Sequence, residues 1–458
     1  MNLWRFYPEV FWNTSCLTIN AGADENVEDN KSTQYGKVGI AVSNMQKEGI
    51  VIANPDINEA QFSFDPDVEN NAIIYALKAI NGIGDDACKL IIQHRPYSSF
   101  DDFCVRMLDT KLIKPSQMIM LIKAGCFLKL HNQDRAVTMR EYLTKYKFNK
   151  IEKLTMSQLN IMKEYGIIPS EYDLCLRTIN FKNYVLHPDG FYKNVVQENK
   201  KVPKCGYHDR LFVLDNDSQS FFAEHLSEES VVEVNGNGHY IISEKKFIKE
   251  IDKIIQPLKD WFVSEEAVKQ YNNAQFEQIW LQFAFGNEAK WSMQALTYYD
   301  DKHELDCVNE EKYGIVNFFE LPEEPQSYET YTRYINGEPK EMPKYVIYRL
   351  AGTVLNADNN HHTVSILTCY GCVNLKFYKE AYAHYNHRIS QPNGKGGKTV
   401  LEDSWFKRGT LLIACGFRSG DTFILRNYSD TVYKHTLNRI TQVNEDGTLE
   451  IQVERIKI

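Results

Sequence analysis

Between residues 345 and 425 the sequence runs in five short apolar stretches, at 345–354, 363–367, 373–377, 410–416 and 422–425. Within them apolar and polar side chains alternate, the period-two pattern that turns one face of a strand toward a core. A helical stretch, 379–385, falls after the third, and a Gly/Lys-rich loop, 391–398, precedes the fourth. Five strands with a helix after the third is the order of an OB barrel. That pattern fixes the end of a 458-residue chain long enough for about two to four domains. The expected architecture is multidomain and α+β. Residues 1–155 form a mostly helical region, 156–343 a mixed α/β middle, and 344–458 the barrel with its tail.

Within the first region, residues 1–19 carry aromatic and aliphatic side chains all round, as a buried helix does, and 35–49 reads as a helix stopped by Gly49. The β-branched run Ile50-Val51-Ile52 is a short strand closed by the turn Asn54-Pro55-Asp56. In the middle, 211–214 is a strand. Phe247, Ile248, Ile251, Ile254, Ile255, Leu258 and Trp261 recur at three- and four-residue spacing, an amphipathic helix. The stretch 320–343 holds four prolines among acidic residues and reads as a linker.

The most specific local signal is Leu77-Lys78-Ala79-Ile80-Asn81-Gly82-Ile83-Gly84, which continues into Asp85-Asp86-Ala87-Cys88-Lys89. An apolar helix ends, Gly-Ile-Gly turns the chain, and a second helix begins. Two glycines let main chain approach a phosphate without Cβ interference, and the following helix N-terminus offers N–H donors to an anion. Ile80, Asn81, Gly82, Ile83, Gly84 and Lys89 are therefore candidate DNA-backbone contacts, which position without reading sequence. An ordinary αα-turn packed in a core is the competing reading. Asp85 and Asp86 suit a helix start but repel phosphate. A second turn of this kind lies at 120–127, with Lys123 and Gly125 as its candidates.

Composition, at 43% hydrophobic and 25% charged, is that of a globular chain and not a disordered one. No window nears the roughly 18 apolar residues of a membrane span, and Arg5, Pro8 and Glu9 spoil the amino terminus as a signal peptide. The net charge of −9 is unevenly spread. Residues 104–154 hold 11 Lys/Arg against 4 Asp/Glu, 300–341 hold 4 against 12, and 376–408 hold 7 against 3. Two basic segments thus flank an acidic one, and distribution matters more than the sum for a nucleic-acid partner. Of ten cysteines only Cys369 and Cys372 form a Cys-x-x-Cys pair, and it reads as a strand turn. Zinc needs a second pair or histidines at ligand spacing. His361 and His362 are near in sequence, but the turn reading is favoured, so reduced thiols and no metal are expected, as in a cytosolic protein.

Two-metal nucleotidyl transfer needs clustered carboxylates. Asp215 and Asp217, after the apolar strand, are the best imitation, and a turn is the commoner use of such a cluster. Asp65-Pro66-Asp67 reads as a loop. No phosphate-binding Gly-x-x-x-x-Gly-Lys-Ser/Thr loop is present. On the barrel, Lys376, Phe377, Lys395 and Lys398 are candidate single-strand contacts, alongside the reading that the barrel only packs.

These residues with their neighbours resemble the α subunit of bacterial DNA polymerase III, the family C replicative polymerases. The resemblance is carried in order by Leu3-Trp4-Arg5-Phe6-Tyr7-Pro8-Glu9-Val10-Phe11, Gly49-Ile50-Val51-Ile52, Pro55-Asp56-Ile57-Asn58, the glycine hairpin, Tyr97-Ser98-Ser99-Phe100-Asp101-Asp102-Phe103, Leu121-Ile122-Lys123-Ala124-Gly125-Cys126-Phe127, and the step from Asn132 to Arg135. It covers about the first 140 residues, with a fainter likeness at 291–305. It implies a fingers-like region followed by an OB domain. The palm and thumb would come from another chain, which would hold the catalytic Mg2+, while this chain binds no cofactor. It also implies the carboxy-terminal part of a split polymerase, phage-encoded or truncated, working on double- and single-stranded DNA in the cytoplasm of a bacterial or infected host cell. Gln278, Leu281 and Phe283 fit the family's sliding-clamp peptide, although apolar residues at that helical spacing more commonly form core. Two alternatives stand beside this reading. One is a complete nucleotidyl transferase centred near Asp215 and Asp217, the other a non-enzymatic repair or recombination accessory protein.

Overall fold

The computed structural model describes residues 9–24, 32–186, 197–201, 208–393, 397–426 and 436–456. The chain forms two compact units, Met1–Tyr142 with Phe283–Ile458, and Leu143–Gln282. These limits do not follow the three sequence segments, because residues 283–343 join the first unit.

The first unit opens with α1 (Glu9–Ala21) and α2 (Tyr35–Lys47). Helix α1 is one-sided, not buried all round. Val10, Thr14, Leu17 and Ala21 face the core, while Phe11, Trp12 and Ile19 are 40%, 54% and 69% exposed. Residues 1–8, with the Tyr7-Pro8 signal, lie outside the described residues. A small sheet follows, in which β1 (Val51–Ala53) runs parallel to β3 (Ala72–Ile74), and β2 (Asp65–Asp67) flanks β3 antiparallel. Asp65-Pro66-Asp67 is thus an edge strand instead of a loop, a place where proline is tolerated. After one 3-10 turn, Leu77–Ala79, come α3 (Asp85–Gln93), α4 (Phe100–Phe103), α5 (Pro115–Lys123), α6 (Leu128–His131) and α7 (Arg135–Tyr146). Phe103 meets Tyr97 and Phe127 edge-on at 4.7 and 5.0 Å, so the aromatic run 97–103 is core.

The second unit places α8 (Leu159–Glu164), α9 (Asp173–Leu186), α10 (Asn216–His225), α11 (Glu244–Phe262) and most of α12 (Glu265–Ala284) with an antiparallel sheet. Its strands β4 (Gln197–Lys201), β5 (His208–Val213), β6 (Val231–Val234) and β7 (Tyr240–Ser243) lie in the order β4-β5-β7-β6. Phe247, Ile251, Ile255, Leu258 and Phe262 form one buried stripe on α11 against Met162, Val185, Phe212 and Phe222. The helical periodicity read from sequence explains that stripe.

Returning to the first unit, α13 (Glu288–Leu296) and α14 (Glu310–Tyr313) lead to a two-stranded ribbon, β8 (Ser327–Ile335) with β9 (Glu338–Tyr345). The expected linker at 320–343 is therefore largely paired strand. Prolines mislead here, since each strand of a two-stranded ribbon has an open edge that needs no donor. The barrel comprises β10 (Tyr348–Asp358), β11 (Thr363–Thr368), β12 (Gly371–Lys376), helix α15 (Lys379–Asn386), β15 (Leu411–Ser419) and β16 (Thr422–Leu425). Strands pair in the order β10-β11-β12-β16-β15, and β15 closes onto β10 from Leu411 to Gly416. Only β12–β16 is parallel. This is a closed five-stranded OB-like barrel. Between α15 and β15 the supposed loop 391–398 is partly strand, β13 (Ile389–Pro392) paired with β14 (Lys398–Glu402). A hairpin that the alternation did not reveal, β17 (Leu437–Val443) and β18 (Leu449–Gln452), extends the sheet from β15. Glu402 and Arg455, each nearly fully buried and 3.0 Å apart, pin the tail.

Candidate nucleic-acid interface

The glycine turn is built by alternating burial. Ile80 and Ile83 are sealed in the core, while Gly82 and Gly84 between and beyond them are exposed. Gly82 has φ +80°, the left-handed region that favours glycine. A Cβ there would find its nearest neighbour, Met120 Cγ, at 3.9 Å, and one on Gly84 would meet nothing within 4 Å. The turn thus presents bare main chain outward. Gly84 is the N-cap of α3 and brings no side chain to the first-turn amides. In any helix those amides lack intrahelical acceptors and point at whatever stands before the helix.

The expected apolar helix before the turn is a single 3-10 turn, since Tyr75 and Leu77 are already buried against other elements. What holds the turn comes from far along the chain. Asn81 N–H donates to Ala295 O at 2.9 Å, Asn81 Nδ2 to Gln294 O at 3.1 Å, and Tyr75 OH to Leu296 O at 2.7 Å. These are the terminal carbonyls of α13, groups every helix leaves unsatisfied. The Asn81 main-chain N–H and one of its two side-chain N–H groups are therefore committed to positioning the turn.

The acidic objection is answered locally for Asp85. Lys78, on one side of the turn, forms an ion pair with Asp85 on the other. Asp86 and Lys89 remain exposed on α3. A neighbouring basic residue that sequence reasoning missed is Lys114. Gln117 accepts from Lys114 N–H at 2.8 Å and donates to Gly82 O at 3.4 Å, which ties the start of α5 to the turn. The Lys78–Asp85 pair was visible as opposite charges seven residues apart across a turn, whereas nothing local announces Lys114.

The second turn differs. Gly125 has φ +78°, but a Cβ there would meet Leu128 Cδ1 at 3.0 Å and Arg135 Nε at 3.2 Å. Lys123 is only 7% exposed and donates to Gln294 Oε1 at 2.8 Å, and burial pushes its ammonium down to about 8. Lys123 and Gly125 are interior residues, so the expectation that they meet phosphate is corrected. Arg135, 6% exposed, pairs with Asp300 and donates to Ser292 Oγ at 2.6 Å and Lys123 O at 3.1 Å. Asn54 Nδ2 completes the cluster with a 2.7 Å bond to Asp300. Burial works against the Asp300 carboxylate, yet Arg135 and the hydrogen bonds from Ser292 and Asn54 outweigh it and hold it below the ordinary range.

On the barrel, Phe377 is 3% exposed and packs on Phe406 at 4.9 Å, so it is core and not a stacking platform. Lys376 donates to His361 O. Lys398 is exposed on β14, and Lys395 lies outside the described residues. Tyr370 and Tyr378, at 41% and 51% exposure, are the open aromatics. In α12 the clamp-type residues Gln278 and Leu281 are exposed and Phe283 is half-buried. Asp215 is the N-cap of α10, accepting from Ser218 N–H and Tyr184 OH, both at 2.8 Å. Burial tends to raise its pKa, but those bonds hold it below the usual value. The carboxylate thus does the work of a cap. Among the described residues no group of three His, Cys, Asp or Glu is placed to hold a metal ion. Cys369 and Cys372 flank the β11–β12 turn as free thiols. No helix among the described residues is long and apolar enough to cross a membrane.

The helix-hairpin-helix motif family matches residues 49–137, the segment that contains both turns. Along its whole length the chain is 41% identical to the probable DNA polymerase YorL of Bacillus subtilis and to a DNA-directed DNA polymerase of Bacillus phage SPbeta. The chain spans about a third of these relatives, 34% of each. A DNA polymerase III subunit alpha from Vibrio cholerae is 32% identical over 98 residues, 20% of this chain and 8% of that protein. With the hairpin and the closed barrel, these matches make the chain a portion of a C-family, DNA polymerase III α-like polymerase. Within that class the full-length likeness is to the polymerases of Bacillus subtilis and phage SPbeta.

Proposed function

We propose that this chain is the DNA-handling portion of a replicative DNA polymerase. It holds the primer-template duplex at the Gly82–Gly84 turn and the template strand at the barrel, and another chain supplies the catalytic palm, the thumb and their Mg2+. The observation that carries this is the outward main chain of Gly82 and Gly84 over buried isoleucines, at the start of an uncapped helix. Phosphate is the ligand that such a surface suits. Exposed Gln278 and Leu281 make a sliding clamp the further partner in this reading, and the compartment is the bacterial or infected-cell cytoplasm.

Fluorescence anisotropy with duplexes of unrelated sequence tests the reading. Gly84→Val, which has room for its side chain, is expected to weaken all of them equally, by about tenfold. Unchanged affinity in the folded variant would remove the hairpin from the account. Stoichiometric partners retained by the tagged chain test the other half, and a set lacking any palm-bearing polypeptide would overturn the division of labour.

A further inference from the structure

Among the described residues of the first unit, the ribbon β8–β9 stands out as a long element that buries almost nothing. Every residue of β8 is exposed, as are the first four of β9. Two-stranded ribbons are marginally stable in water, so this one draws order from its ends. At the tip Asn336-Gly337 is a two-residue turn with both φ values positive, the type that matches strand twist. At the base Val346 N–H donates to Gln326 O at 2.8 Å, and Tyr345 packs on Phe417 of β15 at 4.5 Å. The ribbon thus springs from the barrel and carries its tip away from its own base.

Charge along the ribbon is arranged by distance from the barrel. Near the base, Glu329 and Lys344 make a cross-strand ion pair at 3.0 Å. Near the tip, Arg333 and Lys340 stand directly opposite one another in register, both exposed and neither in an ion pair among the described residues. Like charges opposed across a ribbon repel, and an anion between them would turn that cost into attraction. Glu338 shares the face at the turn, and Glu341 lies opposite Thr332 on the other face. Beyond the cation pair Tyr334 and Ile335 are 72% and 41% exposed on opposite faces, ahead of the Asn336-Gly337 turn and Glu338. Over 327–345 three basic residues balance three acidic ones, while Glu320, Glu323 and Glu324 cluster just before the ribbon. The glutamates discourage a polyanion at the root, and the opposed Arg333–Lys340 pair is the ribbon's local site for a single phosphate.

We propose that the β8–β9 ribbon is a wedge whose Arg333–Lys340 pair grips a backbone phosphate on one face while Tyr334, on the opposite face, stacks on the exposed base pair where duplex DNA opens into single strand, with Ile335 beside the cation pair as an apolar edge. Apolar side chains unstack base steps in this way, and aromatic faces accept any base. The proposal rests on the DNA-handling reading above and adds a junction-specific contact to it.

The test compares the full chain with Tyr334→Ser/Ile335→Ser and Arg333→Ser/Lys340→Ser. The substrates are a forked DNA with 2-aminopurine at its last base pair and a blunt duplex of the same sequence. Because the ribbon is exposed, both variants should melt with the parent. Each is expected to bind the fork about tenfold more weakly while blunt-duplex affinity stays within about twofold. The tip variant should also lose the 2-aminopurine signal change. Wild-type-like fork binding and signal in both variants would overturn the wedge and leave the hairpin reading standing. Failure of the parent chain to bind either DNA would overturn both.

Discussion

Two of the molecule's left-handed glycines, Gly82 and Gly125, sit in turns with nearly the same φ, +80° and +78°. They are put to opposite uses. Around Gly82 the space where a Cβ would stand is open, and the turn faces outward. Around Gly125 that space is filled by Leu128 and by Arg135, whose guanidinium is tied to Asp300. A left-handed glycine therefore does not by itself mark a ligand site. What distinguishes the two is whether the absent side chain leaves room for a partner or for the protein's own interior. Even their supports converge. Gln294 accepts from Asn81 through its carbonyl and from Lys123 through its side chain, so one residue of α13 braces both turns.

The largest effect expected from breaking this arrangement is at Arg135. Arg135→Met keeps most of the volume but strands Asp300 in the interior with Ser292 and Asn54 alone. Removing one partner of a buried pair typically costs about 3–5 kcal/mol. Urea unfolding should show a loss in that range, and a loss below about 1 kcal/mol would mean that the cluster is solvated. Acid should act in the same direction. The folded pKa of Asp300 is depressed, so its contribution is present above the unfolded value and is lost as pH falls toward the folded one.

Lys123 gives the next effect, and here the charged form of the group costs stability instead of adding it. Its folded pKa, about 8, lies below an unfolded value near 10.4. Between the two the unfolded chain binds more protons, so stability rises with pH through that window. Keeping the buried ammonium charged below pH 8 costs on the order of 3 kcal/mol at about 1.4 kcal/mol per unit. Lys123→Met should flatten the rise between pH 8 and 10 in thermal melts. An unaltered slope in the variant would assign the proton to another group.

How much of this was legible depends on where the deciding contact lies. The barrel strands were readable because alternation is local, and 422–425 matches its strand to the residue. The Gly82 turn was readable because glycine adopts its left-handed φ without the cost that a side chain brings. Lys123 was not readable. A lysine on a short helix looks solvent-facing until Gln294, 171 residues later, covers it. Phe377 was misjudged for the same reason, since an aromatic at a strand end serves a core or a ligand equally well, and Phe406 settles it from another segment. The ribbon was hidden by its own composition. Proline and acid signal a linker in most contexts, and Pro339 and Pro343 sit in β9 only because its outer edge is unpaired.

The smallest expected effect is the difference between alanine at the two glycines, and it tests the comparison directly. Gly82→Ala forces a side chain into the left-handed region at a cost of about 1–2 kcal/mol, with nothing closer than 3.9 Å to resist it. Gly125→Ala incurs the same backbone cost. In addition its methyl meets Leu128 at 3.0 Å and Arg135 at 3.2 Å, where the neighbours must give way. Arg135 cannot retreat without loosening its hold on Asp300, so overpacking should add about 1–2 kcal/mol more. The midpoint of urea unfolding is expected to fall further for Gly125→Ala than for Gly82→Ala, while duplex affinity should fall only for Gly82→Ala. Equal destabilisation would mean that the Gly125 pocket relaxes freely. An affinity loss confined to Gly125→Ala would exchange the roles of the two turns, with the outward face at Gly82 left without a ligand.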